Sequence, residues 1–269
     1  MLFLPVIISS IYKLMDKIML GSMNEITELG FYENAEKIIN VPITIITAIG
    51  IVMLPRMSSL LSKNKVEESK SYIYKTMIFV MFFSTGAAFG MASIAKVCCV
   101  IFYGGHFARS GIIMIYLAVT IIFIGCGNVI RTQYIIPNKM DNIYIISAAI
   151  GAVVNFIINF ILIPILGAVG AAIGTIVAEF LVLAYQMFHT RHVFNYKDYV
   201  KKEIVFCILG VLMLGVILIL PSFSNRYLEL ILSVFIGFVV YSILSRYYIK
   251  SILKIDIFKM LKYIINRKI

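Results

Sequence analysis

Charge is scarce in this chain, and what there is leans to one sign. Only 14% of the 269 residues are charged, with 24 Lys and Arg against 13 Asp and Glu. A soluble domain carries about 25% charged and about 45–50% apolar residues. Here 61% are hydrophobic and the mean hydropathy is +0.99, which excludes an ordinary soluble domain. The four cysteines, Cys98, Cys99, Cys126 and Cys207, form no CxxC pair, and the three histidines make no cluster near them. Neither a zinc site nor a disulfide framework is supported, and no metal is expected. No GxxxxGK[ST] loop is present, so the chain does not itself hydrolyse a nucleotide. No ten-residue alternation of a membrane β-barrel occurs. No hydrophilic stretch is large enough to house a glycosyltransferase or hydrolase site, so no catalytic residues and no cofactor are expected.

What is present is a series of apolar runs of about 20 residues, the length that crosses a bilayer as helix. Eight spans are predicted, near 2–21, 30–56, 71–95, 110–132, 142–163, 168–189, 203–220 and 228–248. The fold class is an all-α integral membrane bundle of about eight transmembrane helices. The second run is long for a span; Pro42 is expected to kink it and Pro55 to end it. Residues 1–20 read as a retained helix rather than a signal peptide, because the charges come late and no small-residue cleavage site follows.

Basic residues fall between the runs, not along a groove, so the positive charge marks topology and excludes nucleic acid as a partner. Arg56 to Lys75, Arg131, Lys139, Arg191 to Lys202 and the tail from Arg246 lie on one side; only Lys96, Arg109 and Arg226 lie on the other. The positive-inside rule then places both termini in the cytoplasm of a multi-pass protein of the cytoplasmic membrane. The tail from Tyr248 alternates apolar residues with lysine and reads as an amphipathic helix on anionic membrane lipid. Two small-residue patterns, at Gly86/Gly90 and Gly170/Gly174, allow close helix contact in lipid. The denser one follows a turn expected at Pro164 and predicts a close hairpin of the fifth and sixth helices.

The chemistry-bearing residues are charges inside apolar runs, where each costs roughly 2.5–3.5 kcal/mol on insertion scales and therefore faces a bundle interior or water. Lys13, Asp16 and Lys17 share one face of the first helix at 100° per residue. Glu33, Glu36, Lys37, Asn40, Thr44 and Thr47 share one face of the second. An antiparallel pairing brings the two clusters to a common depth with their charges balanced. Structural ion pairing and the lining of a hydrated cavity are both open to them. Ser147, Gly151, Asn155 and Asn159 descend one face of the fifth helix; Thr175, Glu179 and Gln186 share a face of the sixth. Glu179, near mid-span, is either a proton or cation site or a neutral interhelical hydrogen-bonding group. Arg131 either meets a pyrophosphate or lipid phosphate, which guanidinium pairs with well, or is a plain positive-inside anchor at the helix end.

Taken together, IYKLMDKIMLG (11–21), ELGFYENAEKIINVPITIITAIGIVMLPRMS (28–58), RTQYIIPNKM (131–140) and NFILIPILGAVGAAIGTIVAEF (159–180) resemble the C-terminal half of a polysaccharide or O-antigen type lipid-linked oligosaccharide flippase. That family lies in the multidrug/oligosaccharidyl-lipid/polysaccharide exporter superfamily. The resemblance implies a six-helix lobe over 1–190 and an added transmembrane pair with a basic tail over 191–269. It implies alternating access, with a cavity at Lys13, Asp16, Lys17, Glu33, Glu36, Lys37, Asn40, Arg131, Asn155 and Asn159 taking a polyprenyl-pyrophosphate-linked oligosaccharide. Ion coupling at Glu179 is the matching expectation. The alternatives within the superfamily are a cation-coupled multidrug exporter and a peptidoglycan-precursor flippase; a membrane polymerase or ligase of the same pathway is a third. The first lobe that the resemblance implies is absent, so the chain is expected to be a fragment, or to pair with a separate N-terminal lobe or with polysaccharide assembly proteins.

Overall fold

The computed structural model describes residues 14–220 and 225–253, and among these every regular element is helical. Helix α1 covers 14–23. It is followed by α2 (Ile26–Ser62), α3 (Val66–Tyr103), a 3-10 turn, α4 (Ala108–Ala118), α5 (Thr120–Ile130) and a π-helical turn at Arg131–Ile135. Helices α6 (Asp141–Leu166), α7 (Ala168–Thr190), α8 (Tyr196–Ile219) and α9 (Arg226–Leu253) complete it. Seven described helical segments are long and apolar enough to cross a membrane, with α4, α5 and the π turn forming one. Most of the first expected span, Lys13 included, lies outside the described residues, as does the tail beyond Leu253.

Three boundaries differ from expectation. Pro55 does not end α2, which carries both Pro42 and Pro55 inside a 37-residue helix. At 1.5 Å per residue that is about 56 Å, well beyond a hydrocarbon core of about 30 Å, so the helix end stands in water. Pro42 is buried against the neighbouring helices, as membrane prolines commonly are, whereas Pro55 is exposed. Pro164 is likewise internal to α6. The turn comes instead at Gly167, whose φ of +60° is open to glycine at little steric cost. The fourth span is two short helices that meet at Val119 rather than one continuous rod.

Helices α6 and α7 form the close hairpin that the small residues predict. A Cβ placed at Gly170 would lie 2.5 Å from the Leu162 carbonyl oxygen, and one at Gly174 would strike Asn159. Small residues serve this purpose in lipid, where dispersion at close range replaces the hydrophobic drive. The other pattern is only half used: Tyr241 of α9 packs over Gly86, while Gly90 faces open space. Helix α3 is the hub, touching α2, α4, α5, α8 and α9. Its Phe82 stacks on Tyr241 at 5.2 Å, and the Tyr241 hydroxyl donates to the Phe82 carbonyl.

Candidate functional site

The hairpin of α1 and α2 builds the first part of the site. Lys17 Nζ lies 2.9 Å from Glu36 Oε2 and 3.9 Å from Glu33 Oε1, so the expected pairing across the two helices is present. These side chains keep between 21% and 38% of their surface, enough to stay wet. One turn further, Lys37 and Asn40 are exposed. Thr44 and Thr47 continue the face, each hydroxyl donating to a carbonyl of its own helix, Asn40 and Thr44 respectively. From Glu33 to Thr47 this polar stripe runs about 21 Å along α2 at 1.5 Å per residue.

Thr47 leads into a second part. A polar cavity of about 140 Å³ is lined by Thr47, Arg131, Tyr144, Ser147 and Glu179 among others. Arg131 is carried by the π turn and its guanidinium sits 5.2 Å from the centre of the Tyr144 ring. The two residues assigned separate roles from sequence, Arg131 and Glu179, thus line the same space. Gly50 makes this possible by bringing α2 against α5, where a Cβ would strike Asn128.

Asp16 belongs elsewhere, which corrects the expectation that it lines the cavity beside Lys17. It is only 3% exposed. It accepts hydrogen bonds from Asn159 Nδ2 at 2.5 Å, the Tyr32 hydroxyl at 3.0 Å and the Thr175 hydroxyl at 3.0 Å. Adjacent helical positions point 100° apart: Lys17 turns to the charges of α2, Asp16 to the α6–α7 hairpin. Asn155 and Asn159 are corrected with it, since both are fully buried and bonded to one another at 3.2 Å. They hold helices together and touch no open space.

This nest also has the donors a cation requires. No cationic side chain among the described residues lies within ion-pair distance of Asp16, and an uncompensated buried carboxylate is costly. Around it stand Asn155 Oδ1, the Thr175 hydroxyl and the Ala171 carbonyl, which already meets Thr175 at 3.0 Å. Asn159 Oδ1 is buried without a partner. Hard cations take such oxygen ligands.

Two further carboxylates carry structure the sequence reading missed. Glu28 is buried at the start of α2, where Oε1 meets Arg109 Nε at 2.9 Å and Oε2 accepts the Ala168 N–H at 2.8 Å. It thereby ties the first turns of α2, α4 and α7 together and caps α7, whose opening N–H groups lack partners of their own. Glu203 of α8 accepts the Thr85 hydroxyl of α3 at 2.6 Å. The signals were present, in the ELG stretch at 28–30 and in a glutamate within an apolar run, but their partners are distant in sequence.

The fold and sites can be set beside known proteins. The sequence matches the family described as Lipid II flippase MurJ over residues 2–239. No curated protein matches. Among solved structures, "Lipid II flippase MurJ, inward closed conformation" superposes with a TM-score of 0.80 at 20% identity. The superposition covers 93% of this chain and 53% of that one, so the chain spans about half the length of the protein it resembles. At that identity the likeness speaks for the fold alone. The sequence match, which covers most of the chain, decides membership: this chain belongs to the lipid II flippase MurJ family.

Proposed function

We propose that the chain is one lobe of a flippase that moves the peptidoglycan precursor lipid II across the cytoplasmic membrane by alternating access. The sequence reading put an O-antigen type oligosaccharide first and a peptidoglycan precursor second; the family membership favours the second. The observation that carries the reading is the polar stripe of α2, from the Lys17–Glu36 pair to the Arg131 cavity. A lobe with such a face supplies one wall of a hydrated path and leaves the other wall to a partner lobe, whether on the same polypeptide or another. The lobe extends over 1–190, with the pair over 191–269 added to it and both termini in the cytoplasm.

In this reading Lys17, Lys37 and Arg131 meet the pyrophosphate of the cargo by charge-assisted hydrogen bonds. Glu33, Glu36 and Asn40 accept hydrogen bonds from its sugar and peptide hydroxyl and amide groups. Lys13 belongs to the same proposal but lies outside the described residues. For ion coupling two carboxylates compete, Glu179 in the Arg131 cavity and Asp16 in the nest; the oxygen donors around Asp16 favour it for a hard cation. The protein acts as a carrier and not as an enzyme.

The test uses cells depleted of their own lipid II flippase and supplied with this chain together with a first lobe. Accessible lipid II in the outer leaflet is measured for the wild-type sequence and for Lys17→Ala, Lys37→Ala and Arg131→Ala. Outward appearance that depends on these three side chains supports the reading. Unchanged appearance in all three, at equal protein levels, overturns the cavity assignment. Transport of a lipid-linked O-antigen oligosaccharide in place of lipid II overturns the choice of cargo.

A further inference from the structure

At the end of the bundle where α1 turns into α2 and α6 turns into α7, a cleft of about 1040 Å³ opens between helix ends. By the distribution of basic residues this is the outer end. Small-molecule sites span about 300–1,000 Å³, so the cleft is large enough for a lipid headgroup and more. Its polar lining carries charges of both signs. Lys96 is exposed and meets no carboxylate within ion-pair distance among the described residues. It stands about 10 Å short of the end of α3 at Tyr103. A bare ammonium at that depth beside lipid is costly without an anion or water to meet it.

Arg109 uses Nε on Glu28 and is otherwise half exposed, which leaves its terminal N–H groups to the cleft. Glu28 is consumed by Arg109 and the Ala168 N–H, but among the described residues the Glu25 carboxylate accepts only the Thr27 hydroxyl, at 3.2 Å. Below these charges the cleft wall is apolar. Ile112, Ile115 and Ile165 line it and remain 52%, 45% and 73% exposed, continuous with the lipid-facing surface.

We propose that this cleft binds an ethanolamine phospholipid of the surrounding bilayer. Its phosphate lies between Lys96 and Arg109, its primary ammonium donates to Glu25, and one acyl chain follows Ile112, Ile115 and Ile165. An anionic headgroup without an ammonium leaves Glu25 facing like charge. A choline headgroup has the right charges but no N–H to donate to the carboxylate. Of the glycerol, choline and ethanolamine headgroups, only the zwitterion with a primary amine answers every group in the cleft. The assignment is independent of the cargo, because the cleft and the α2 stripe share no lining residue.

The experiment is native mass spectrometry of the full chain in detergent, titrated separately with phosphatidylethanolamine, phosphatidylglycerol and phosphatidylcholine of the same acyl composition. The ethanolamine lipid is expected to be retained best. Lys96→Ala is expected to weaken it about tenfold, the equivalent of one charge-assisted hydrogen bond. Glu25→Gln, a surface change that leaves the helix contacts intact, is expected to erase the preference for ethanolamine over choline. Equal retention of the three lipids by the wild-type chain overturns the proposal, as does ethanolamine-lipid retention unaltered in both variants.

Discussion

The Asp16 nest gives the sharpest quantitative test. Replacing Asp16 by Ala removes the common acceptor of the Tyr32 and Thr175 hydroxyls and the Asn159 amide, leaving Tyr32 to Thr175, Thr175 to the Ala171 carbonyl and Asn159 to Asn155 Oδ1. In membrane proteins an interhelical hydrogen bond is worth about 0.6 kcal/mol on average and about 1.7 kcal/mol at most. Three such bonds give a loss of about 2–5 kcal/mol, part of which returns if the hydroxyls rotate to helix carbonyls. Asp16→Asn keeps one acceptor oxygen but turns an amide toward the Asn159 donor, so its loss falls between wild type and Ala. Thr175→Val removes one of the three and should cost about 0.6–1.7 kcal/mol. The measurement is unfolding in mixed detergent–SDS micelles, followed by helical circular dichroism. A double-mutant cycle of Asp16→Ala with Thr175→Val isolates their coupling. An Asp16→Ala loss under about 0.5 kcal/mol, or zero coupling in the cycle, refutes the view that this carboxylate joins α1 to the α6–α7 hairpin.

If a hard cation completes the same nest, sodium stabilises the wild-type chain in that assay by an amount that grows with concentration, about 2.7 kcal/mol at one hundred times the dissociation constant. Potassium chloride at equal ionic strength serves as the control, and Asp16→Asn should abolish the difference. Lys17→Ala should change unfolding by no more than about 1 kcal/mol, because the pair with Glu36 is partly exposed to water. The same variant should lose outward lipid II in cells, so an equal fall in stability and transport would count against a cavity role. Gly174→Leu drives a side chain into Asn159 and parts α6 from α7; a loss of more than about 2 kcal/mol is expected from overpacking. Wild-type stability in Gly174→Leu would show that the hairpin is looser than described.

Periodicity made the helices, the α6–α7 hairpin and the Lys17–Glu36 pairing legible in the sequence, because each depends on spacing within one or two neighbouring elements. The second helix showed its polar stripe for the same reason. What a helical wheel leaves open is the identity of whatever a polar face meets. Asp16 and Lys17 share a face within a single wheel, yet one is enclosed by Asn159, Thr175 and Tyr32 while the other stays wet. Asn155 and Asn159 read as a polar line descending α6, and the packing of α7 decides that this line is enclosed. Helix ends were mistaken where proline was treated as a terminator: α2 and α6 run through the exposed Pro55 and Pro164, because a helix can continue past a proline at the cost of one backbone hydrogen bond. Glu28 with Arg109, and Glu203 with Thr85, are unions of residues far apart in the chain, and no local pattern announces them.

The threonines of α2 carry a consequence for motion. Thr44 and Thr47 donate their hydroxyl hydrogens to their own helix, so each presents only lone pairs to whatever slides past. Strong anchors stand at the two ends of the stripe, in the lysines near its start and the arginine at its far end. Between them the surface resembles a shallow, evenly wetted slope rather than a row of binding steps. Under the proposed function, a headgroup crossing it would fall into no deep well, and the work of moving it would be set at the ends, where charge is met and let go.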